Sequence, residues 1–223
     1  MPNTDYLRYL EELRQIPTLS GFENAGQKEV QQLLAPLFDE SRPAGVSGLL
    51  FTKKCGRENA PVLLIDAHLD EIGLIVTDLK DDGTLTVSSL GGMDARTYTA
   101  SSYTIHGKEN MPALSLKKPY CLGGPEARKL PKNGEFWIFT GFTKEELTQK
   151  GVAVGTPVSM ERSTESLSEE QLCGAYMDDK SCAVAALIAL EELKGKDLSC
   201  DICLLLSGQE ESYGAGFRTG VFD

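Results

Sequence analysis

Three short clusters hold the side chains that could do chemistry in this chain: His68-Leu69-Asp70, Asp178-Asp179 and Glu210-Glu211. The first follows the apolar run Val62-Leu63-Leu64-Ile65, and the third follows Ile202-Cys203-Leu204-Leu205-Leu206. The second opens a helix-like stretch at 182–193. An imidazole and several carboxylates at strand ends are the donor set of a metal-dependent hydrolase. In His68-Leu69-Asp70, the histidine can bind a cation while the carboxylate orients its ring. Asp178 or Asp179 can bridge two cations held roughly 3.5–4 Å apart. Of two adjacent glutamates, one can bind metal and the other can take a proton from an attacking water. Each cluster also has a plainer reading: a satisfied polar pair, a helix cap, and a solvated acidic loop.

Those clusters need elements to position them. Residues 5–15 have a helical apolar face of Tyr6, Leu7, Leu10 and Leu13, with Thr4 as an N-cap. A second helix is expected at about 24–38. Strands are expected at 48–55 and 61–67, separated by the polar turn 56–59. From Ile72 to about Arg162 the texture changes to short β-branched runs at 74–79, 84–90, 97–106, 136–140 and 157–160. Gly and Pro turns divide these runs, among them Asp82-Gly83, Gly91-Gly92, Gly123-Gly124-Pro125 and Asn133-Gly134. A short helix is expected at 143–150, and a polar segment at 163–171 leads back out. The helix at 182–193 and the buried strand at 202–206 follow. The fold class read from this order is α/β, interrupted by an inserted small β-barrel.

Composition limits the partners. The 223 residues carry 33 acidic and 22 basic side chains, a net charge of -11. Nucleic-acid binding needs clustered Lys and Arg, so it is not expected. No apolar stretch approaches the roughly 20 residues of a membrane span. The start, Met1-Pro2-Asn3-Thr4-Asp5, lacks the pattern of a secretory signal. The six cysteines therefore read as reduced thiols in a cytoplasmic setting. Cys200-Asp201-Ile202-Cys203 has a metal or redox spacing but no second pair, and it straddles the start of a core strand.

Taken together, Ala67-His68-Leu69-Asp70-Glu71-Ile72-Gly73, Gly91-Gly92-Met93-Asp94-Ala95-Arg96, Met177-Asp178-Asp179-Lys180 and Gln209-Glu210-Glu211 resemble the tetrahedral, dinuclear-metal aminopeptidases. This is the family of glutamyl, leucyl and deblocking aminopeptidases, some of which carry a cellulase name. Leu19-Ser20-Gly21-Phe22-Glu23 and Tyr103-Thr104-Ile105-His106-Gly107-Lys108 are similar to further segments of the family.

The resemblance implies a phosphorylase/hydrolase-like αβα peptidase domain, residues 1–71 and 163–223, with an inserted β domain, residues 72–162, that serves oligomerisation. It implies His68 on one metal, Asp178 bridging, Glu211 on the second metal, Glu210 as general base and Asp70 orienting His68. The cofactors would be two divalent ions, zinc or cobalt first and manganese next. The substrates would be peptides, and the assembly a dimer-based homo-oligomer, a dodecamer in the family.

Asp-Asp-Lys stands where Asp-Asp-Arg is commoner. The family's later Asp and C-terminal His ligands have no counterpart here, and His106 is not taken for a ligand. The chain therefore reads as C-terminally truncated, with its site left open. A related two-metal amidohydrolase and an inactive remnant that only assembles through the β domain are the alternatives.

Overall fold

The computed structural model describes residues 4–115, 120–123, 125, 129–132, 135–169 and 171–222. Of the expected turns, Gly124, Asn133 and Gly134 lie outside the described residues. The chain forms two compact units, Met1–Glu71 with Arg162–Asp223, and Ile72–Glu161. Arg162, counted with the inserted domain on sequence, belongs to the first unit: its guanidinium donates to the Glu71 carboxylate and to the Arg14 carbonyl.

The first unit contains α1 (Thr4–Gln15), α2 (Gln27–Leu34), β1 (Glu40–Ala44), β2 (Gly48–Lys53) and β3 (Val62–His68). The second holds β4 (Gly73–Leu79), β5 (Leu85–Leu90), α3 (Ala95–Tyr98), β6 (Ser102–His106), β7 (Asn110–Ser115), α4 (Tyr120–Gly123), β8 (Phe136–Phe139), α5 (Lys144–Gln149) and β9 (Pro157–Met160). The chain then returns to the first unit through β10 (Thr164–Ser168), β11 (Gln171–Gly174), α6 (Lys180–Glu192), β12 (Asp201–Ser207) and α7 (Ala215–Gly220).

The sheet that matters for chemistry has the order β1-β2-β12-β3. β12 enters between β2 and β3, antiparallel to the first and parallel to the second, so β2 and β3 are not a hairpin. Parallel strands need a crossover, which the inserted unit and α6 supply here. One face packs Leu49, Phe51, Ala67, Leu204 and Leu206 against α1, α2 and α6 through Leu13, Val30, Leu34 and Leu187. The other face buries Ala44, Leu50, Cys203 and Leu205. There α7 lies so close that a Cβ on Gly220 would meet the Leu205 side chain at 3.0 Å. This is an αβα arrangement, and burial of Cys203 agrees with its reading as a core residue.

The expected helix at 24–38 is broken into a 3-10 turn (Glu23–Ala25), α2, and a second 3-10 turn (Ala35–Leu37). Pro36 lacks the N–H an α-helix requires. At Gly26 the chain presses on the preceding loop so closely that a Cβ would meet the Pro17 carbonyl at 2.5 Å. Thr4 is the first residue of α1 rather than a cap in front of it. The polar segment at 163–171 forms the hairpin β10-β11 instead of a plain connection.

The second unit is a closed barrel of order β4-β5-β8-β7-β6-β9. Its core is apolar, built on Leu74, Val76, Leu85, Val87, Ile105, Phe136, Ile138 and Val158. The run at 97–106 begins as the short helix α3 before entering β6, because Asp94 accepts the Arg96 N–H and caps a helical turn. No helix of the described residues is long and apolar enough to cross a membrane.

Candidate metal centre

The parallel register of β3 and β12 sets Ser207 beside His68, so both strands end at the same edge. The chain after β12 turns sharply: Leu69 N–H donates to the Ser207 carbonyl at 2.6 Å, and Gln209 has a φ of 55°. This turn rests on α7 with little room between them, since a Cβ on Gly216 would stand 2.1 Å from the Gly208 carbonyl oxygen. Asp70 then captures the turn. Its Oδ1 accepts the Glu210 N–H at 2.8 Å and its Oδ2 the Glu211 N–H at 3.1 Å. Both glutamates are thereby held beside the end of β3.

His68 is the hub. Its Nδ1 lies 2.9 Å from the Asp70 carbonyl oxygen and 3.6 Å from Asp70 Oδ1. A carbonyl can only accept, so Nδ1 carries a proton and Nε2 faces the carboxylates. Nε2 is 3.0 Å from Asp178 Oδ1 and 3.8 Å from Glu210 Oε2. His68, Glu210 and Glu211 each place one ligand atom within 4.8 Å of the others. Asp178 meets this trio through His68. Of the sequence candidates, the structure therefore gathers His68, Asp70, Asp178, Glu210 and Glu211 in one place. His106 is elsewhere, bonded to Asn110 and Ser159 within the barrel.

The electrostatics are those of crowded negative charge. Burial works against a charged His68, yet Asp70 at Nδ1 and Asp178 at Nε2 outweigh it and the imidazole is pushed up to about 9. The Glu211 carboxyl is raised by burial and by Asp70, Glu210 and Asp178. Asp66, two residues before His68 on β3, is raised by burial and by Asp179 and Glu210. Asp70 is fully buried yet lowered, because His68 and the Glu210 N–H stabilise its charge against the cost of burial. An imidazole nitrogen and several carboxylates under mutual repulsion are a set that a divalent cation would relieve, and N/O donors suit zinc, cobalt or manganese.

The start of α6 is fixed from below. Lys180 is buried and donates to Glu71 Oε2 at 2.7 Å and to the Ile16 carbonyl at 3.0 Å. Burial depresses it to about 8, against the pull of Glu71. Glu71 is also bonded by Arg162 and by the Thr18 N–H. Lys180 thus supplies directed hydrogen bonds as well as charge. The Asp178-Asp179 peptide is cis, and Asp179 stands at the N-cap of α6 without a side-chain cap bond. Asp179 thus holds the cap position of the plainer reading without the side-chain bond of a cap.

Sequence reasoning did not single out Asp66 or Glu23. Asp66 is in step with His68 on an alternating strand, a signal that was available. Glu23 is fully buried and its Oε1 accepts the Gln209 N–H at 2.9 Å. Its only signal was its place in a segment similar to the family.

The glutamyl aminopeptidase of Lactococcus lactis is 27% identical over 206 residues, covering 89% of this chain and 58% of the relative. The solved aminopeptidase APDkam598 of the archaeon Desulfurococcus kamchatkensis superposes with a TM-score of 0.87 at 27% identity, covering 98% of this chain and 60% of that one. The Pyrococcus horikoshii TET1 peptidase, described as assembling into a tetrahedron or a large octahedral shell, shares the fold with a TM-score of 0.81 at 22% identity, covering 96% of this chain and 64% of that one. The chain spans 41–62% of the length of the first curated relatives it matches. The sequence model of the M42 glutamyl aminopeptidase family runs from residue 48 to residue 220, through β3, the inserted barrel, Asp178 and Glu210-Glu211 alike. On that match, over well more than half of its length, the chain belongs to the M42 glutamyl aminopeptidase family.

Proposed function

We propose that the cluster at the ends of β3 and β12 is the metal-holding part of an aminopeptidase site. The observation that carries this reading is the approach of His68, Glu210 and Glu211 ligand atoms within 4.8 Å, with Asp178 Oδ1 at 3.0 Å from His68 Nε2. His68, Asp178 and Glu211 would hold two divalent ions, zinc, cobalt or manganese, with Asp178 shared between them. Bound there, such ions supply Lewis acidity and bring the pKa of a water they hold to about 7. Glu210 takes the proton of the attacking water and returns it to the leaving amine. Asp70 holds His68 in the tautomer that leaves Nε2 free of its proton for a ligand bond. The substrates are peptides with a free N-terminus. The barrel supports homo-oligomerisation, in line with the assembly described for the TET1 peptidase. The exposed thiols of Cys121, Cys173 and Cys182 suit a reducing, cytoplasmic setting.

The test begins with metal analysis of the purified chain after exposure to zinc, cobalt or manganese, then a panel of aminoacyl anilides beside their N-blocked versions. Bound metal and selective cleavage of the free amines are expected. Glu210→Gln should lower turnover by about 10²- to 10⁴-fold, the usual contribution of a general base, with metal still bound. Equal cleavage of blocked and free substrates would sink the aminopeptidase reading. No metal in the wild-type chain, or none lost in His68→Ala, would sink the metal centre.

A further inference from the structure

The glutamates of the site hang from a stretch of main chain whose consecutive amides all end on buried carboxylates. Glu210 and Glu211 donate to Asp70, and Gln209 donates to Glu23 Oε1 at 2.9 Å. Glu23 comes from the 3-10 turn before α2, 186 positions away in sequence. Its Oε1 also accepts the Gly21 N–H at 3.0 Å, while its Oε2 is buried with no hydrogen-bond partner among the described residues. Inside a protein, a carboxylate with one oxygen unpaired is costly, and an apolar side chain would fill the space better. Packing therefore gives no reason for a glutamate here. The bond to Gln209 gives one. Gln209 sits at a φ of 55°, where a non-glycine residue stays only when its surroundings hold it. Its carbonyl accepts the Gly214 N–H at 2.9 Å, so Glu23 grips the amide side of a residue already gripped on the carbonyl side.

We infer that Glu23 is a positioning residue: by bonding the Gln209 amide it fixes the backbone from which Glu210 and Glu211 reach His68. Its effect on metal rests on the reading of those residues proposed above, whereas its effect on the loop does not.

The test uses the whole chain and three variants, Glu23→Ala, Glu23→Gln and Glu23→Asp, with two readouts. Amide hydrogen exchange is read at Gln209, Glu210 and Glu211 and, as internal reference, at Ile202 to Leu206. Cobalt affinity is read by titration. Glu23→Ala should speed exchange at the three loop amides about 10-fold or more while β12 keeps its protection. It should also weaken cobalt binding by about 10-fold or more, the usual effect of losing a group that orients ligands. Glu23→Gln keeps an oxygen acceptor and should recover most of both. If Glu23→Ala does not fold, Glu23→Asp, which withdraws the acceptor by one methylene, should show the same pattern more weakly. Unchanged loop exchange, equal acceleration along β12, or a Gln variant as impaired as the Ala variant would overturn the inference. A wild-type chain that binds no cobalt would end the metal reading, and the exchange pattern would still decide the role of Glu23.

Discussion

The two units bury different things. The first encloses Arg14, Glu23, His68, Asp70, Glu71 and Lys180, charged or chargeable groups that each cost free energy to remove from water. The buried polar groups of the barrel among the described residues are the hydroxyls of Thr84, Ser115, Thr156 and Ser159 and the phenols of Tyr98 and Tyr103, all uncharged at neutral pH around an apolar core. A core that only has to be stable needs no internal charge. Replacing a buried ion pair by apolar residues is often neutral or stabilising. The first unit's buried charges are better explained by what they hold in place: Glu71 and Lys180 hold the start of α6, and Asp70 and Glu23 hold the turn after β12. The contrast separates a unit built around a site from a unit built around packing.

That contrast is easiest to break at Glu71. Glu71→Ala leaves the buried Lys180 and Arg162 without their shared carboxylate, which should destabilise the first unit by about 3–5 kcal/mol. The single tryptophan, Trp137, lies in the barrel and reports on that unit alone. In urea, the helical circular-dichroism signal should fall early in the variant while the Trp137 fluorescence transition stays in place. If both transitions shift together, the two cores unfold as one and the contrast does not extend to energetics.

The converse comes from Leu85→Ala, a truncation of a fully buried barrel side chain. A loss of about 3 kcal/mol is expected, from the removed methyl groups and the cavity they leave. It should appear in Trp137 fluorescence and leave metal binding at His68 unaltered. A weakened metal affinity in this variant would show that the barrel's packing is transmitted to the site.

Alkali should act on the barrel too, above about pH 10. Tyr98 and Tyr103 are buried there, donating to the Trp137 and Tyr98 carbonyls at 2.6 and 3.2 Å. Burial raises both phenols, Tyr103 to about 12. A group whose folded pKa is raised contributes stability that is whole below its unfolded value near 10 and is lost as pH rises through the folded value. The urea midpoint read by Trp137 should hold up to about pH 10 and then fall, by on the order of 1–2 kcal/mol at about pH 11.5. A flat midpoint over this range, with tyrosinate absorbance already developed, would show that these rings ionise in the folded barrel.

The sequence displayed some of this directly and hid the rest for physical reasons. β3 and β12 are apolar runs in the sequence, so their ends and the clusters on them stood out, although only β12 is buried along its run: Val62, Leu63 and Leu64 of β3, last in the sheet order, are exposed. β1 was invisible because Glu40-Ser41-Arg42-Pro43 is an edge strand, where polar residues and a proline are tolerated. β7 was hidden in the same way by Pro112 and by exposed alternate positions. The strand order was also out of reach, because it depends on β12 entering between β2 and β3 from a distant part of the chain. Glu23 was missed for a related reason. A lone acid in a loop reads as solvated, and nothing local announces that its partner is an amide 186 residues away.

Helix starts provide the smallest and most pointed test of the contrast. In the barrel, α5 begins with a reciprocal cap: Thr143 Oγ1 accepts the Glu146 N–H at 3.3 Å, and Glu146 Oε2 accepts the Thr143 N–H at 2.8 Å. These bonds satisfy amides that the helix leaves open, and Thr143→Ala should destabilise the barrel by about 1 kcal/mol. In the first unit, Asp179 occupies the equivalent place before α6 and makes no such bond. It has the Cys182 thiol and attraction to the helix dipole instead of a backbone cap, so Asp179→Ala should cost less than the loss of the Thr143 cap, on the order of 0.5 kcal/mol. Next to Asp178 in the chain, and acting with Glu210 on Asp66, it adds to the negative charge that a cation would neutralise, so the same substitution should weaken cobalt binding measurably. A stability loss for Asp179→Ala as large as that for Thr143→Ala, with cobalt affinity intact, would place this acidic pair among ordinary helix caps and remove one support of the metal centre.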